Sequence, residues 1–452
     1  MGLDVGTSTT QLILSQLQVE NRSSGFTVPE MVITHREVVY RSPVHFTPLK
    51  NHSLVYGDKL QKLVLQEYEN AGITRQQVDT GAIIITGETS RKENAGEVLQ
   101  ALSGFAGDFV VATAGPDLES VLAAKGAGAT DFSRKTGKTV LHMDIGGGTS
   151  NLALIRDGEI VQTGCLNVGG RLLKLDPQGK ITYVSPVLEK LWNFRVGETP
   201  DTQVLSQVAD TLCHALEMAA GRKEATELLH RLATDEVQGS WMPPTETVTV
   251  SFSGGVADCI ENTFAPLEFG DIGPLLGQAI RNSSLCHGDY ILGQETIRAT
   301  VIGAGCHSTQ LSGSTVYCRG ISLPKKNLPV VSFTGQEQES RDFSQIIARK
   351  LQSVDAPEAV LAIPGYDSPS HQALARLAEE ILRGVGQKAV YLCMEGDMAK
   401  ALGQKISLLR PETPCLCLDK LKFTPQSYLD IGAPVGPCFP VVIKTLVLSK
   451  ET

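Results

Sequence analysis

Apolar and polar residues alternate in patterns that predict an α/β protein with two similar glycine-containing hairpins. Residues 1–20 combine a short apolar strand, the turn GTST and the alternating run QLILSQLQV, as expected of a β-hairpin. Residues 140–155, VLHMDIGGGTSNLALI, repeat this order of strand, glycine turn and strand. The other elements predicted up to residue 307 are strands near 31–40, 81–86 and 248–252, and helices near 58–71, 91–106, 117–128, 203–233 (one or two) and 298–307.

A different pattern follows in the last part of the chain, where short apolar runs alternate with amphipathic stretches. Such alternation predicts a small parallel sheet with crossover helices. Lys325–Pro329, just before it, is expected to be a linker. The predicted strands are at 328–334, 358–363, 389–393 and 415–419, and the predicted helices are near 340–352, 369–384 and 396–404.

The length of 452 residues exceeds what one compact core holds, so two or three domains are expected. We expect a first domain at 1–137 that carries an inserted subdomain at about 25–110. A second domain is expected at 138–324 and a C-terminal α/β domain at 325–452.

Charge and composition argue against several classes of protein. The formal net charge is −9 and Lys and Arg form no cluster, so no binding to nucleic acid or to an anionic membrane is expected. No apolar run approaches the ~20 residues of a transmembrane helix, and the first residues lack the features of a secretory signal. The ten cysteines form no CxxC pair, which predicts buried free thiols in the reducing cytoplasm rather than a zinc site.

Each predicted hairpin places an aspartate at the end of an apolar strand, before glycine and small hydroxyl residues. Glycines let the chain turn tightly and aim backbone N–H groups at one point, which suits phosphate without a side-chain charge. Asp4 and Asp144 are expected to be catalytic and to hold Mg²⁺ beside the phosphates. One such turn alone is more often an ordinary hairpin, but two copies indicate an ATP site. The expected phosphate contacts are Gly6, Thr7, Ser8, Thr9, Gly146, Gly147, Gly148 and Thr149.

A third motif follows the predicted strand at 248–252. Glycines at a strand end let the backbone approach a flat ring, here the adenine of ATP. A competing phosphate loop is rejected, because Thr136–Thr139 resembles the end of a P-loop but Phe132 stands where that motif requires glycine. The residues expected to contact the adenosine are Ser253, Gly254, Gly255 and Val256.

In this order and spacing the three motifs resemble those of the actin/Hsp70/hexokinase superfamily. The resemblance implies two actin/Hsp70-like (ribonuclease H-like) domains around a nucleotide cleft, here with an added C-terminal α/β domain. Two helices rich in small residues form the hinge in that superfamily, and the predicted helices at 117–128 and 298–307 match them. Gly169 and Gly170 match a loop after the second hairpin of Hsp70, which implies further nucleotide contacts.

The resemblance to Hsp70 also implies a catalytic role for Glu119, at the position of a carboxylate that orients the attacking water. The alternative is a solvated glutamate in the first turn of a helix, where a negative charge is favourable.

Longer segments are similar to the ethanolamine ammonia-lyase reactivating factors of bacteria, over nearly the whole chain. This resemblance implies a chaperone that uses ATP to release damaged cobalamin from the adenosylcobalamin-dependent lyase. It implies the lyase and ATP or ADP as partners, and a place in the bacterial cytoplasm or in the ethanolamine microcompartment. ATP hydrolysis is expected to be slow, because no strong general base is evident in the sequence. Only Met1 and Gly2 precede Leu3, so we expect either a truncated chain or an unusually short first strand beneath the first phosphate loop. The similar segments are 85–95, 110–129, 143–151, 165–173, 269–276 and 298–315.

Two other functions fit the same ATP motifs. A small-molecule kinase of this fold would hold a polar substrate pocket in the cleft. An actin-like scaffold would form filaments that depend on nucleotide. No sugar-kinase signature accompanies the motifs, and a domain such as 325–452 is unusual in a filament subunit.

Four further residues have both a functional and a structural explanation. Glu88 either contacts phosphate or metal or caps the next helix, and His142 is expected to be a core or partly exposed histidine. Arg222 and Lys223 either stack on adenine or lie on a solvated face. The residues expected to be structural are Asn151 and Asp271.

Overall fold

The computed structural model describes most of the chain. The described residues form two sheets of similar order, a third sheet of eight strands near the C terminus and a two-stranded ribbon. None of the helices in this part of the chain combines the length and the apolar character needed to cross a lipid bilayer. The described residues are 1–6, 9–21, 31–48, 54–78, 81–85, 102, 111–113, 116–234, 241–293, 295–307, 309–313, 315–354, 356–421, 423, 427–434 and 436–445.

The first sheet has the first glycine hairpin at its centre. Its strands are β1 (Gly2–Val5), β2 (Thr9–Asn21), β3 (Met31–Arg41), β4 (His45–Phe46), β5 (Ala82–Ile85) and β6 (Val111–Thr113). They are ordered β3-β2-β1-β5-β6, and β4 also pairs with β2. β1, β2 and β3 are antiparallel neighbours, whereas β5 and β6 run parallel to β1. The short first strand expected from the sequence is therefore held by a neighbour on each side.

Helix α1 (Gly57–Asn70) covers one face of the first sheet through Leu60 and Val64, which pack on Leu3. Most of the helix predicted near 91–106 lies outside the described residues, as does Glu88.

The second sheet repeats the order of the first. The next strands along the chain are β7 (Val140–Ile145), β8 (Ser150–Arg156), β9 (Glu159–Leu166), β10 (Leu173–Leu175), β11 (Ile181–Val184), β12 (Thr249–Ser253) and β13 (Tyr290–Leu292). The sheet is ordered β9-β8-β7-β12-β13, and β10 and β11 form the ribbon. β12 and β13 run parallel to β7, as β5 and β6 run parallel to β1. The repeated order confirms the prediction of two related actin-like α/β domains.

Further helices follow the first sheet along the chain, and most of them pack on the two faces of the second sheet. They are α2 (Pro116–Gly126), α3 (Ala129–Thr136), α4 (Pro186–Leu191), α5 (Thr202–Ala219), α6 (Glu227–Leu232), α7 (Asp258–Glu261), α8 (Gly273–Arg281) and α9 (Ala299–Ile302). The stretch predicted at 203–233 forms two helices, α5 and α6. They are separate because Gly221 takes a left-handed φ of 67° and Thr226 caps the second helix.

The two predicted hinge helices, α2 and α9, contact each other through their backbones. A Cβ atom added to Gly126 would overlap the carbonyl oxygen of Ala299. A Cβ atom added to Gly303, in the π turn Gly303–His307 that continues α9, would overlap the carbonyl oxygen of Leu122. The small residues at these positions are therefore required by the close approach of the two helices.

Each hinge helix leaves one sheet and packs against the other. α2 follows β6 of the first sheet and contacts β8 and β9 of the second, where Ser120 Oγ donates to the Gly164 carbonyl oxygen at 3.3 Å. α9 and the π turn follow β13 of the second sheet and contact β1 and β2 of the first. There Ser15 Oγ donates to the Gly305 carbonyl oxygen at 2.9 Å. The chain thus crosses between the two domains at two adjacent places.

The third sheet is built from the C-terminal part of the chain. Its strands are β14 (Thr309–Leu311), β15 (Tyr317–Arg319), β16 (Lys325–Ser332), β17 (Val360–Ile363), β18 (Val390–Met394), β19 (Cys415–Leu418), β20 (Ser427–Ile431) and β21 (Pro440–Thr445). Their order is β14-β21-β20-β16-β17-β18-β19-β15, with β16 to β19 parallel, as predicted. The helices between β16 and β19 are α10 (Gly335–Glu339), α11 (Phe343–Gln352), α12 (His371–Val385) and α13 (Ala399–Leu409).

Lys325–Pro329 belongs to β16, so the prediction of a linker there is wrong. Leu328 is buried in the core of the third sheet, and pairing with β17 begins only at Val330, after the proline. Lys325 Nζ donates to the Glu358 carboxylate at 2.7 Å. β14 and β15 precede residue 325 in the chain but belong to this sheet. The domain boundaries at 137/138 and 324/325 stay predictions. The ten cysteines are free and most of them are buried, as predicted.

We predict that Gly303→Ala destabilises the protein by roughly 3 kcal/mol, because the added methyl group meets a backbone oxygen that cannot move aside. The better helix propensity of alanine returns only about 1 kcal/mol. Urea unfolding measures the difference. Gly335→Ala is the matched control, because a Cβ atom at that position meets no atom within 4 Å. Equal stability of the two variants would contradict the close approach of the hinge helices.

Candidate functional site

The two glycine hairpins have the same local geometry. The Gly6 N–H donates to the Thr9 carbonyl oxygen at 2.9 Å, and the Gly146 N–H donates to the Thr149 carbonyl oxygen at 2.9 Å. Gly147 and Gly148 form the exposed tip of the second hairpin. The tip of the first hairpin, at 7–8, lies outside the described residues, so the predicted contacts of Thr7 and Ser8 lie outside them too.

Both aspartates stand opposite an amide residue across their hairpin. Asp4 pairs with Gln11 between β1 and β2, and Asp144 pairs with Asn151 between β7 and β8. Directly paired residues of antiparallel strands share one face of the sheet. Each hairpin therefore presents one carboxylate and one amide side by side.

Both hairpins contact the segment that begins α9. Gln11 Nε2 donates to the Ile297 carbonyl oxygen at 3.3 Å, and Thr300 Oγ1 donates to Asp144 Oδ2 at 3.3 Å. Residues three positions apart lie at most about 11 Å from each other. The hinge therefore brings the first and second hairpins to one site.

Asp144 is buried, with 9% of its surface exposed, and its carboxylate is hydrogen-bonded on both oxygens. Ser253 Oγ donates to Oδ1 at 2.5 Å, and Thr300 Oγ1 donates to Oδ2. Burial raises the pKa of Asp144 above its usual range, and the two hydroxyl donors offset part of that shift. The site thus holds an oriented carboxylate at the end of β7.

His142 is a fully buried core histidine, as expected from the sequence. Its Nδ1 lies 3.0 Å from Ser251 Oγ and its Nε2 lies 3.0 Å from Ser253 Oγ. Burial lowers the pKa of His142 to about 3, so the imidazole is neutral. It is connected to Asp144 through the Ser253 hydroxyl.

Glu119 lies at the beginning of α2 with 8% of its surface exposed, so it is not a solvated glutamate. Asn151 Nδ2 donates to Glu119 Oε2 at 2.9 Å. Because Asn151 also stands opposite Asp144, the two carboxylates predicted to act on the nucleotide lie on either side of one amide. Asn151 is therefore part of the site and not only structural.

Two buried amide oxygens in the site have no hydrogen-bond partner among the described residues, namely Gln11 Oε1 and Asn151 Oδ1. Their orientation is set by the amide nitrogens, which donate to a carbonyl and to a carboxylate oxygen. A buried polar atom without a partner costs about 1–3 kcal/mol, which a bound water or hydrated ion would remove. Gln11 was not singled out from the sequence and Asn151 was expected to be structural, although each follows its aspartate by the same interval.

These oxygens test whether the site fits the Mg²⁺ ion that the resemblance implies. Mg²⁺ binds oxygen ligands, usually one or two carboxylates, and keeps several waters whose protons need acceptors. Asp4 and Asp144 would supply the carboxylates, and Gln11 and Asn151 would supply acceptors, one of each from each hairpin. The residues present therefore fit the ion.

The loop with Gly169 and Gly170 supports the second hairpin from behind. The Gly170 N–H donates to the Gly146 carbonyl oxygen at 3.1 Å, and a Cβ atom on Gly169 would overlap the Gly147 carbonyl oxygen. The Arg171 side chain packs against Gly147, and Arg171 Nε lies 3.2 Å from Asp271 Oδ2. The loop thus fixes the hairpin and brings one cation beside its tip.

The motif at 253–256 packs on the end of β7. Gly254 has a left-handed φ of 87°, and a Cβ atom there would overlap the Ile145 carbonyl oxygen. The Val256 N–H donates to that oxygen at 3.1 Å, and its side chain is in the core. Gly255 is exposed, with open space where a Cβ atom would stand, so it is the part of the motif that a flat ring can approach.

Arg222 and Lys223 both have partners within the protein. Arg222 Nη2 donates to the Val248 carbonyl oxygen at 2.8 Å, and Lys223 Nζ lies 2.5 Å from Glu217 Oε2. Ser284 also donates to Glu217 through its hydroxyl and its backbone N–H. Burial alone would raise the pKa of Glu217, but these donors lower it below the ordinary value.

The chain matches one protein family over almost its whole length. The model of the family described as "Ethanolamine utilisation protein EutA" matches residues 1–449. The ethanolamine ammonia-lyase reactivase EutA of Salmonella typhimurium is 37% identical over 464 residues, which cover 99% of this chain and 97% of that protein. The reactivase of the same name from Escherichia coli is 36% identical over 460 residues, with the same two coverages.

Three solved structures from differently named proteins are similar to part of the chain. The ethanolamine utilization protein EutJ from Carboxydothermus hydrogenoformans is 16% identical, with a TM-score of 0.34 over 67% of this chain and 88% of that one. An Aquifex aeolicus member of the Ppx/GppA family is 11% identical, with a TM-score of 0.38 over 67% and 95%. The activator of 2-hydroxyisocaproyl-CoA dehydratase from Clostridium difficile, with bound ADPNP, is 11% identical, with a TM-score of 0.30 over 67% and 91%.

We predict that Glu217→Gln lowers the free energy of unfolding at pH 7 by about 1–3 kcal/mol, because a buried acceptor of several charged or polar donors is lost. The folded-state pKa of Glu217 is lowered, so its contribution is complete above the unfolded pKa of about 4.3 and is lost as the pH falls through the folded value. Urea unfolding from pH 7 to pH 3 should show the two proteins converging in acid.

Glu246→Gln is the control for that comparison, because Glu246 pairs with Arg156 on the surface and a surface pair contributes little. A difference between wild type and Glu217→Gln that stays constant down to pH 3 would contradict the lowered pKa.

Proposed function

The chain belongs to the ethanolamine utilisation protein EutA family, and from this premise we propose that it is an ATP-dependent reactivating chaperone for ethanolamine ammonia-lyase. The observation that carries the proposal is the full-length match to two proteins with the name reactivase, together with the oriented Asp144 at the end of β7 in the second hairpin. We propose the lyase and ATP or ADP as partners. The protein would act in the bacterial cytoplasm. If the lyase is enclosed in the ethanolamine microcompartment, the protein would act inside that compartment.

We propose that ATP binds between the hairpins, with its phosphates on the backbone N–H groups of the two loop tips. Gly147 and Gly148 are exposed at the second tip, and the hairpin behind them is fixed by Gly170. Backbone donors at a fixed loop bind phosphate without reorganising. Arg171, paired with Asp271, places a guanidinium beside Gly147 and therefore near the phosphates.

Asp4 and Asp144 would hold Mg²⁺, whose chemistry is to neutralise the oxygens of the transferred phosphate. Gln11 Oε1 and Asn151 Oδ1 would accept hydrogen bonds from water in the same place, which removes the cost of leaving them unpaired. The four side chains come from equivalent positions of the two hairpins. Closing the cleft would therefore bring the two carboxylates and the two amides around one ion.

We propose that Glu119 or Asp144 orients the water that attacks the γ-phosphate. Glu119 is buried and its Oε2 is held by Asn151, so the carboxylate has a fixed direction. Attack breaks the bond between the γ-phosphate and ADP, and the products are ADP and inorganic phosphate. Catalysis would rest on position and charge, which predicts slow turnover.

Loss of the γ-phosphate removes the group that connects the two hairpins. We propose that the domains then rotate at α2 and α9, where backbones slide past each other at Gly126 and Gly303. The rotation would change the surface presented to the lyase and free the damaged cobalamin. The domain at 325–452 is our proposed contact with the lyase, because it follows the hinge directly.

We predict that Asp144→Ala abolishes reactivation. Ethanolamine ammonia-lyase inactivated with cyanocobalamin is mixed with the protein, ATP, Mg²⁺ and fresh adenosylcobalamin, and lyase activity is followed. The wild-type protein should restore activity only with ATP. Asp289→Ala, which removes a carboxylate whose side chain is 90% exposed, is the control and should reactivate normally. Recovery without ATP, or full recovery with Asp144→Ala, would contradict the proposal.

Glu119→Gln should separate hydrolysis from binding. We expect kcat for ATP hydrolysis to fall about 100-fold, since a positioned carboxylate of this kind contributes at least that much, while Kd for ATP changes less than about threefold. The control is Asp117→Asn, which alters an exposed carboxylate on the same helix. An unchanged kcat with a weakened Kd would show that Glu119 only supports the fold of the site.

A further inference from the structure

Four polar side chains form a patch on one face of the second sheet. β7 and β12 are parallel neighbours in which Ser251 pairs with His142 and Ser253 pairs with Asp144. All four are buried, and they lie on the face covered by α2 and α3. Their neighbours along the two strands, including Met143 and Phe252, point to the opposite face and its apolar core. A polar row inside a sheet is costly unless every member is paired.

The hydrogen bonds among these four side chains all run toward Asp144, because each hydroxyl has a single proton to donate. Ser253 has one hydroxyl proton, and it donates this proton to Asp144 Oδ1 at 2.5 Å. Toward His142, 3.0 Å away, the Ser253 oxygen must then accept. His142 therefore carries its proton on Nε2. In a neutral ring Nδ1 is then an acceptor, and it receives the Ser251 hydroxyl proton at 3.0 Å.

The row ends at the carboxylate on which the proposed ATP site depends. Without a donor at Nε2, the Ser253 hydroxyl could turn away from Asp144 toward the ring. With the donor, the hydroxyl has one orientation, and Asp144 Oδ1 has a fixed partner. Thr300 from the hinge helix holds the other oxygen. An apolar pair at 142 and 251 would fill the same space at little cost in stability, so the polar row serves the carboxylate.

We propose that His142 is a positioning residue for the site: its Nε2–H orients the Ser253 hydroxyl, which in turn fixes Asp144 for the nucleotide. This inference rests on the proposed ATP-dependent function, because it names what orients the carboxylate of that site. His142 itself touches neither the nucleotide nor the water.

The first test reads the tautomer directly. Nitrogen-15 spectra of the nucleotide-free wild-type protein labelled at its nine histidines resolve protonated from unprotonated ring nitrogens. The His142 signals are those that disappear in His142→Gln. We expect a neutral ring with the proton on Nε2. A proton on Nδ1, or on both nitrogens, would overturn the inference, and this spectrum requires no variant that has to stay active.

The second test compares two replacements. His142→Leu removes both hydrogen bonds and should lower kcat for ATP hydrolysis about tenfold, the effect of one lost hydrogen bond in the transition state, with Kd within about twofold. His142→Gln has an amide nitrogen to donate to Ser253 and an oxygen to accept from Ser251, so it should stay within about threefold of wild type. A merely structural role would not produce this rescue together with an unchanged Kd.

Ser133→Ala controls for the loss of a buried hydroxyl in the same domain, because Ser133 Oγ bonds only to Lys138 and Gly158 backbone groups away from the site. It should leave kcat unchanged. Normal turnover in a folded His142→Leu protein would overturn the inference and leave the proposed function intact. Wild-type protein that neither binds nor hydrolyses ATP would overturn the proposed function and the role of His142 with it, whichever tautomer is found.

Discussion

The contact between the backbones of α2 and α9 constrains the rest of the molecule. Gly126 and Gly303 have no room for a side chain, so the two helices are held in direct backbone contact. Since α9 begins at the segment that touches both hairpins, its position decides how the two halves of the site meet. A movement of the hinge helices therefore moves the groups around Asp144 directly, because α9 itself contacts that carboxylate through Thr300.

Asp144 shows how such a site orients a carboxyl group inside the protein. Burial opposes ionisation, and two hydroxyl donors from different elements favour it. Donors arranged before the ligand arrives need no reorganisation when it binds, which is the main source of electrostatic stabilisation in enzymes. The same principle applies to the glycine loop at 169–170, where the Gly170 N–H donates to the second hairpin and fixes it before a ligand binds.

The sequence predicted the hairpins, the hinge helices and the parallel part of the third sheet, because each depends on local spacing of glycines or apolar residues. It failed at Lys325–Pro329, where proline and two lysines resemble a linker but Leu328 and the Glu358 partner hold a strand. The ion pair of Lys223 with Glu217 joins helix and loop, so no local pattern reports it. Gln11 and Asn151 were visible in principle, since superposing the two hairpin sequences aligns them opposite their aspartates.

The order of the third sheet has a geometric consequence. β14 and β15 occupy its opposite edges, which in a flat sheet of eight strands would lie about 34 Å apart. The six residue steps from Leu311 to Tyr317 reach at most about 22 Å. The sheet must therefore curl until its edges approach each other. The connection is fastened to both sides, by the Ser312 N–H to the Phe439 carbonyl oxygen and by the Gly313 N–H to the Asp419 carbonyl oxygen. A curled sheet closed in this way resists bending, so the C-terminal domain would follow a turn of the hinge as a single stiff body.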